Sequence, residues 1–130
     1  MKATILYIED NEQNFYLVSF ILTANKHEVL WAKDGREGLE TALDARPDLI
    51  LLDIQLPIMD GYTVAKALKE HAELRETPIV ALTSYALPGD REKAMPAGCH
   101  GYIEKPINPA TFIAQIEHFL ASRPTLEARP

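Results

Sequence analysis

The sequence predicts an α/β fold: a doubly wound, five-stranded parallel sheet covered by five helices. Short β-rich apolar runs recur five times, each followed by a segment of helical periodicity, and that alternation yields parallel strands joined by right-handed crossovers. Two of the runs, Ile5-Leu6-Tyr7-Ile8 and Leu49-Ile50-Leu51-Leu52, are apolar without alternation. That is the pattern of strands buried on both faces. The runs also stop at chemistry-bearing residues: Glu9-Asp10, Asp53, Thr83-Ser84 and Lys105.

The elements follow in order. Ile5 to Ile8 is the first strand, and Asp10 or Asn11 can cap the helix after it. From Glu12 to Ala24 the residues Leu17, Val18, Ile21 and Leu22 form a helical stripe flanked by Phe15 and Phe20. Asn25-Lys26-His27 breaks it. Glu28 to Ala32 is the second strand, with Val29 and Trp31 on one side and Leu30 on the other. Asp34 can cap a second helix whose inner stripe is Leu39, Ala42 and Leu43, ended by Arg46-Pro47. Asp48 to Asp53 is the third strand. The loop Leu56-Pro57-Ile58-Met59-Asp60-Gly61 leads to a third helix, Tyr62 to His71, with Val64, Ala65 and Leu68 inward. Glu70 to Thr77 reads as a surface connection. Pro78 to Leu82 is the fourth strand. Pro88-Gly89-Asp90 opens a short fourth helix, limited by Pro96 and Gly98. Gly101 to Glu104 is the fifth strand. Asn108 caps a last helix with Pro109 at its first position and Phe112, Ile113, Ile116, Phe119 and Leu120 on one face. We expect one domain over residues 1–121 and a flexible tail over 122–130.

Composition narrows the function. At 130 residues the chain can bury roughly two-thirds of its unfolded surface. Its net charge of −6 argues against DNA as a partner, which calls for a basic face. One cysteine, Cys99, excludes an internal disulfide and fits a reducing, cytoplasmic location. The N-terminus carries no signal-peptide pattern. The uncharged stretch Gln13 to Asn25 is too short to span a bilayer, so no membrane insertion is expected.

In a doubly wound sheet, ligands bind outside the carboxyl ends of the strands. Glu9, Asp10, Asp53, Thr83 and Lys105 all fall there. Taken singly, each has an ordinary reading as a cap, a turn or a solvated charge. Together they bring three carboxylates, a hydroxyl and an ammonium to one edge from different strands. Three close carboxylates repel, and a hard divalent cation relieves them: Mg2+, or Mn2+ in its place. Asp53 is then free to act as a carboxylate nucleophile. Lys105, the Thr83 hydroxyl and the metal each suit one oxygen of a transferred phosphoryl group.

These residues stand in stretches that resemble the receiver domain of two-component response regulators. The stretches are Ile8-Glu9-Asp10-Asn11, Leu52 to Gly61, Ala81-Leu82-Thr83-Ser84-Tyr85-Ala86 and Gly101-Tyr102-Ile103-Glu104-Lys105-Pro106, and the likeness covers residues 4–121. It implies a flavodoxin-like sheet of order 2-1-3-4-5 and a protein that is a signalling receiver rather than an enzyme. Asp53 is then the phosphoacceptor. Glu9 (through water) and Asp10 bind the metal with Asp53, joined by the Gln55 backbone carbonyl. Thr83 and Tyr102 are the switch pair, and Lys105 precedes a cis Pro106. The phosphoryl donor is a histidine kinase or histidine phosphotransfer protein, and a downstream protein partner reads the result.

The first acid is Glu9 where such receivers more often carry Asp, and Pro96 is unusual in the fourth helix. We expect a stand-alone switch that docks its donor through Asn14, Phe15 and Val18. The alternatives are a phosphorelay intermediate or the receiver of a hybrid kinase. An aspartyl-phosphate phosphatase is disfavoured by Gln55 at the place of a general acid. A flavin binder is disfavoured by the acidic Glu9-Asp10-Asn11-Glu12 loop.

Overall fold

The computed structural model describes residues 2–54, 61–83 and 98–121. Strands β1 (Thr4–Ile8), β2 (Glu28–Ala32), β3 (Leu49–Asp53), β4 (Ile79–Thr83) and β5 (Gly101–Glu104) form one parallel sheet in the order β2-β1-β3-β4-β5. This is the doubly wound order that the likeness to receiver domains implies. Among the described residues the helices are α1 (Glu12–Ala24), α2 (Gly35–Ala45), α3 (Gly61–Lys69) and α4 (Pro109–Ala121), with a 3-10 turn at Ala72–Leu74. The predicted helix at 88–98 falls largely on residues 84–97, outside the described ones, and so do Pro96 and the tail at 122–130.

The helix starts follow local chemistry. Asn11, rather than Asp10, caps α1: its Oδ1 accepts the Asn14 N–H at 2.9 Å. The Asp34 carboxylate accepts the Glu37 N–H at 2.8 Å to start α2. Arg46 ends α2 in the left-handed region, at φ 47°, before Pro47. Asn108 accepts the Ala110 N–H at 3.1 Å ahead of Pro109.

Strand residues alternate between two cores. Ile5, Tyr7, Leu49, Leu51, Val80, Leu82 and Ile103 face α1 and α4, where they meet Val18, Ile21, Leu22, Phe112, Ile116 and Leu120. Leu6, Ile8, Ile50, Leu52, Ile79 and Ala81 face α2 and α3, meeting Ala42, Val64, Ala65 and Leu68. Two expectations need correction. Leu17 is not part of the inner stripe of α1: it is 54 % exposed, beside Tyr16 at 60 % and Phe20 at 74 %. The helix presents Val18, Ile21 and Leu22 to the sheet, and Leu17 falls on the side turned to solvent. And α3 stops at Lys69, because Leu74 plugs the second core and pulls the connection into the 3-10 turn.

Lys69 fixes that connection. Its Nζ donates to the carbonyls of Leu74 (3.0 Å), Arg75 (2.9 Å) and Thr77 (2.6 Å). Its Cγ also leaves no room at Gly98, where a Cβ would lie 2.6 Å away and φ is +109°, a conformation suited to glycine. Burial lowers the Lys69 pKa to about 8. Lys69→Met keeps the aliphatic packing and removes the ammonium from three carbonyls, of which that of Leu74 still accepts the Thr77 N–H at 3.2 Å. We expect a loss of about 1–3 kcal/mol in urea unfolding, with the fold retained by far-ultraviolet circular dichroism.

Candidate functional site

The chain passes from β2 on one side of β1 to β3 on the other, so β1 and β3 are neighbours at the reversal of strand order. In this fold a cleft opens at that point, at the carboxyl ends of the strands. Backbone pairing continues just beyond the named strand ends. Glu9 N–H bonds the Ala32 carbonyl at 2.9 Å, Ile54 N–H the Leu82 carbonyl at 3.0 Å, and Lys105 N–H the Thr83 carbonyl at 2.7 Å. The candidate residues are therefore held by the sheet itself. Period-two alternation also sorts them. Glu9 continues Ile5 and Tyr7, Asp53 continues Leu49 and Leu51, and Lys105 continues Ile103, all on the side of α1 and α4. Gly61, the first residue of α3, packs against the same strand end. Its N–H donates to the Ile54 carbonyl at 3.0 Å, and a Cβ there would lie 2.8 Å from the Asp53 carbonyl oxygen.

One carboxylate oxygen each from Glu9, Asp10 and Asp53 lies within 4.8 Å of the others. Glu9, Asp53 and Thr83 are buried and Asp10 is exposed. Lys105 Nζ stands 3.4 Å from Glu9 Oε1 and 3.4 Å from Asp53 Oδ2, bridging two of the three acids. The Tyr7 hydroxyl donates to Glu9 Oε1 at 2.9 Å. Burial pushes the Glu9 pKa above the usual carboxylate range, and the Asp53 carboxyl it hydrogen-bonds adds to the rise; Lys105 and Tyr7 oppose it. Desolvation, then the hydrogen bond to Glu9, raises Asp10 as well. One ammonium does not balance three acids. An oxygen-only donor set with surplus negative charge, open to solvent through Asp10, fits a hard divalent cation. Glu9, Asp10 and Asp53 would hold it, and when bound it would supply charge neutralisation at an incoming anionic group.

Comparison with known proteins agrees with this geometry. The family model described as the response regulator receiver domain matches residues 5–117. The chain belongs to that family. It is 42% identical over 120 residues to the polar-differentiation response regulator DivK of Brucella anthropi, covering 92% of this chain and 98% of that protein. Among solved structures, the chemotaxis protein CheY4 of Vibrio cholerae superposes with a TM-score of 0.87 at 32% identity, over 92% of this chain and 99% of that one. The receiver domain of the sensor histidine kinase PA1611 of Pseudomonas aeruginosa gives 0.86 at 33% identity, over 94% and 100%. That crystal structure has a magnesium ion coordinated in its active-site cleft.

The structure brings together Glu9, Asp10, Asp53 and Lys105, and it ends β4 at Thr83 beside them. The Lys105–Pro106 peptide is cis. Tyr102 lies on β5, half-buried against the core on the α2 and α3 side. Gln55 lies outside the described residues. The docking trio divides. Asn14 is exposed; Phe15 is half-buried, its ring stacked on Trp31 at 4.4 Å; Val18 is 1 % exposed. Val18 is thus a core residue, because its place on α1 faces the sheet; Tyr16, Leu17 and Phe20 are the large apolar side chains on the outer surface. Sequence reasoning missed Tyr7 and Trp31 as neighbours of the acids. The signal for Tyr7 was available: it precedes Glu9 by two residues on a strand, and so shares its face.

A raised folded-state pKa means that the folded protein binds protons the unfolded chain has already lost. Stability contributed by Glu9 and Asp10 is therefore complete below the ordinary carboxylate range and is lost as pH rises through their raised values. Glu9→Gln removes one of the three charges. In the absence of metal we expect its Tm at pH 8 to exceed that of the wild type by roughly 3 °C, about 1 kcal/mol, and the difference to shrink toward pH 4.5. A variant less stable than wild type at pH 8 by calorimetry would contradict this account of the cluster.

Proposed function

We propose that the chain is a phosphorylation-dependent switch that takes a phosphoryl group onto Asp53 with Mg2+ held by Glu9, Asp10 and Asp53. One observation carries the reading: three acids converge within 4.8 Å while Lys105 Nζ stands 3.4 Å from Asp53 Oδ2. An Asp53 carboxylate oxygen attacks the phosphorus of a phosphohistidine on a histidine kinase or phosphotransfer protein. The new P–O bond forms as the P–N bond breaks, and the donor histidine leaves as a neutral imidazole once protonated. Lys105 turns its ammonium from the carboxylates to one phosphoryl oxygen. The Thr83 hydroxyl donates to another, and Tyr102 follows its movement. Mn2+ substitutes for Mg2+ because it takes the same oxygen ligands. The chain's own chemistry is limited to this transfer and to its reversal by water, which attacks phosphorus, releases phosphate and restores the Asp53 carboxylate.

The receiver unit spans residues 1–121. The donor docks over α1, where Asn14, Tyr16, Leu17 and Phe20 are exposed. Between α1 and the segment after β5 runs a groove of about 210 Å³, lined by Asn14, Leu17, Ile107 and Lys105, with Tyr7 and Val18 at its base. It leads an approaching imidazole toward Lys105 and so to Asp53. Output passes to a downstream protein partner. No described helix is long and apolar enough to cross a membrane, and a cytoplasmic location suits the lone buried thiol of Cys99. The likeness to the receiver of a sensor kinase supports a second reading, a phosphorelay intermediate or hybrid-kinase receiver. A protein that returns its phosphoryl group to a histidine phosphotransfer protein in a chase experiment has that role.

Asp53→Asn abolishes radiolabelling by acetyl phosphate with Mg2+, while chelation by EDTA abolishes it in wild type; persistent label on the variant contradicts the assignment. Lys105→Ala keeps the fold and separates phosphorylation from the switch. On adding beryllofluoride, the Tyr102 ring resonances move in wild type and stay in place in the variant.

A further inference from the structure

Beneath the acids lies an aromatic column whose two ends both reach Glu9. Tyr7 of β1 stacks on Phe15 of α1 with ring centroids 6.1 Å apart and an interplanar angle of 25°. Phe15 stacks on Trp31 of β2 at 4.4 Å and 12°, and Lys33 Nζ lies 5.1 Å from the Trp31 ring centroid. At one end the Tyr7 hydroxyl donates to Glu9 Oε1 at 2.9 Å. At the other the Trp31 indole N–H donates to the Glu9 backbone carbonyl at 2.7 Å. Tyr7 and Glu9 are both fully buried. A buried phenol needs an acceptor and a buried carboxylate needs donors, and here each meets the other's need. The bond has a geometric consequence. Glutamate has one more rotatable bond than aspartate, so without an anchor its carboxylate could occupy several places around the cleft. Lys105 is a poor anchor. Its contact with the same oxygen is longer, 3.4 Å, and is shared with Asp53. The Tyr7 bond is the shorter one, and it comes from a ring locked in the core.

We propose that Tyr7 is a positioning residue for the metal-dependent reaction: with Trp31 holding the Glu9 backbone, its hydroxyl fixes the Glu9 carboxylate where it converges with Asp10 and Asp53. This rests on the Mg2+ reading above. The bond to Tyr7 persists when Lys105 leaves for the phosphoryl group, so Glu9 stays in register through the reaction. Partners of metal-binding carboxylates typically change affinity by 10- to 100-fold when removed.

The test is Tyr7→Phe, which deletes one oxygen and keeps the ring. Trp31 is the only tryptophan in the chain, so its fluorescence follows Mg2+ binding, with titration calorimetry as a second measure. We expect half-saturation of the variant to need about tenfold more Mg2+, while labelling of Asp53 at saturating Mg2+ returns close to the wild-type level. In a Glu9→Ala background, Tyr7→Phe changes Mg2+ affinity no further. A wild type that binds no Mg2+ defeats the metal reading and this proposal with it. A wild type that binds, matched by a folded Tyr7→Phe, overturns the role of Tyr7 alone, and so does an equal loss of affinity in both backgrounds. Should Tyr7→Phe fail to fold, the wild type decides. Saturation with Mg2+ shifts the slowly exchanging hydroxyl proton of Tyr7, and a resonance that stays put overturns the proposal.

Discussion

The mutual repulsion of three carboxylates held in one place is the constraint on which this molecule turns. Glu9 and Asp53 are held near each other, because β1 and β3 pair along their length and the backbone bonds of Glu9 and Ile54 extend the sheet to the ends that carry the acids, with Asp10 next in the chain. In a flexible loop such charges would separate and lose their tension. Here the sheet keeps them together; burial and the neighbouring carboxyls raise the proton affinity of Glu9 and Asp10, Lys105 offsets part of the charge, and a bound cation would relieve the rest. A site poised in this way is sensitive to what enters it: one cation or one phosphoryl group rearranges the whole charge balance.

The scaffold that bears this tension is stiff where it needs to be. All five residues of β3, Leu49 to Asp53, are buried, as are all five of β4, Ile79 to Thr83. Helices α1 and α4 close one face of the sheet and α2 and α3 the other. A change at the strand ends is therefore not absorbed by bending the sheet. It falls on the side chains at the strand ends, such as Lys105, which bridges Glu9 and Asp53. The same rigidity explains why Tyr7 matters. A hydroxyl on a fully buried ring can hold a carboxylate in place only because the ring has nowhere to go.

Helix α1 joins the interior and exterior of the site. Its inner stripe of Val18, Ile21 and Leu22 belongs to the core, and Phe15 continues the column between Tyr7 and Trp31. Its outer surface leaves Tyr16, Leu17 and Phe20 in solvent. Three large apolar side chains on the outer face of one helix are more than scattered exposure accounts for, and Leu17 among them lines the groove that contains Lys105. A partner seated there would press on the same helix that supports Glu9 from below.

The sequence by itself determined the fold class, all five strands within about a residue, and the meeting of Glu9, Asp10, Asp53 and Lys105 at one edge of the sheet. Apolar runs buried on both faces have only one common use, and polar residues at their carboxyl ends can only meet at one edge. It also determined the caps at Asp34 and Asn108, because capping is local chemistry. Only the tertiary structure decided which members of an apolar run on α1 are inside. Leu17 and Val18 are adjacent and alike in hydrophobicity, and the way the helix is turned on the sheet puts one in solvent and the other in the core. Only the tertiary structure drew Leu74 into the core and ended α3 at Lys69, since a plug is defined by the hole it fills. And only the tertiary structure joined Tyr7, Phe15 and Trp31, from two strands and a helix, into the support beneath Glu9. Period and spacing describe neighbours along a chain; the contacts that tune a charged site are made between chain segments, and those depend on packing.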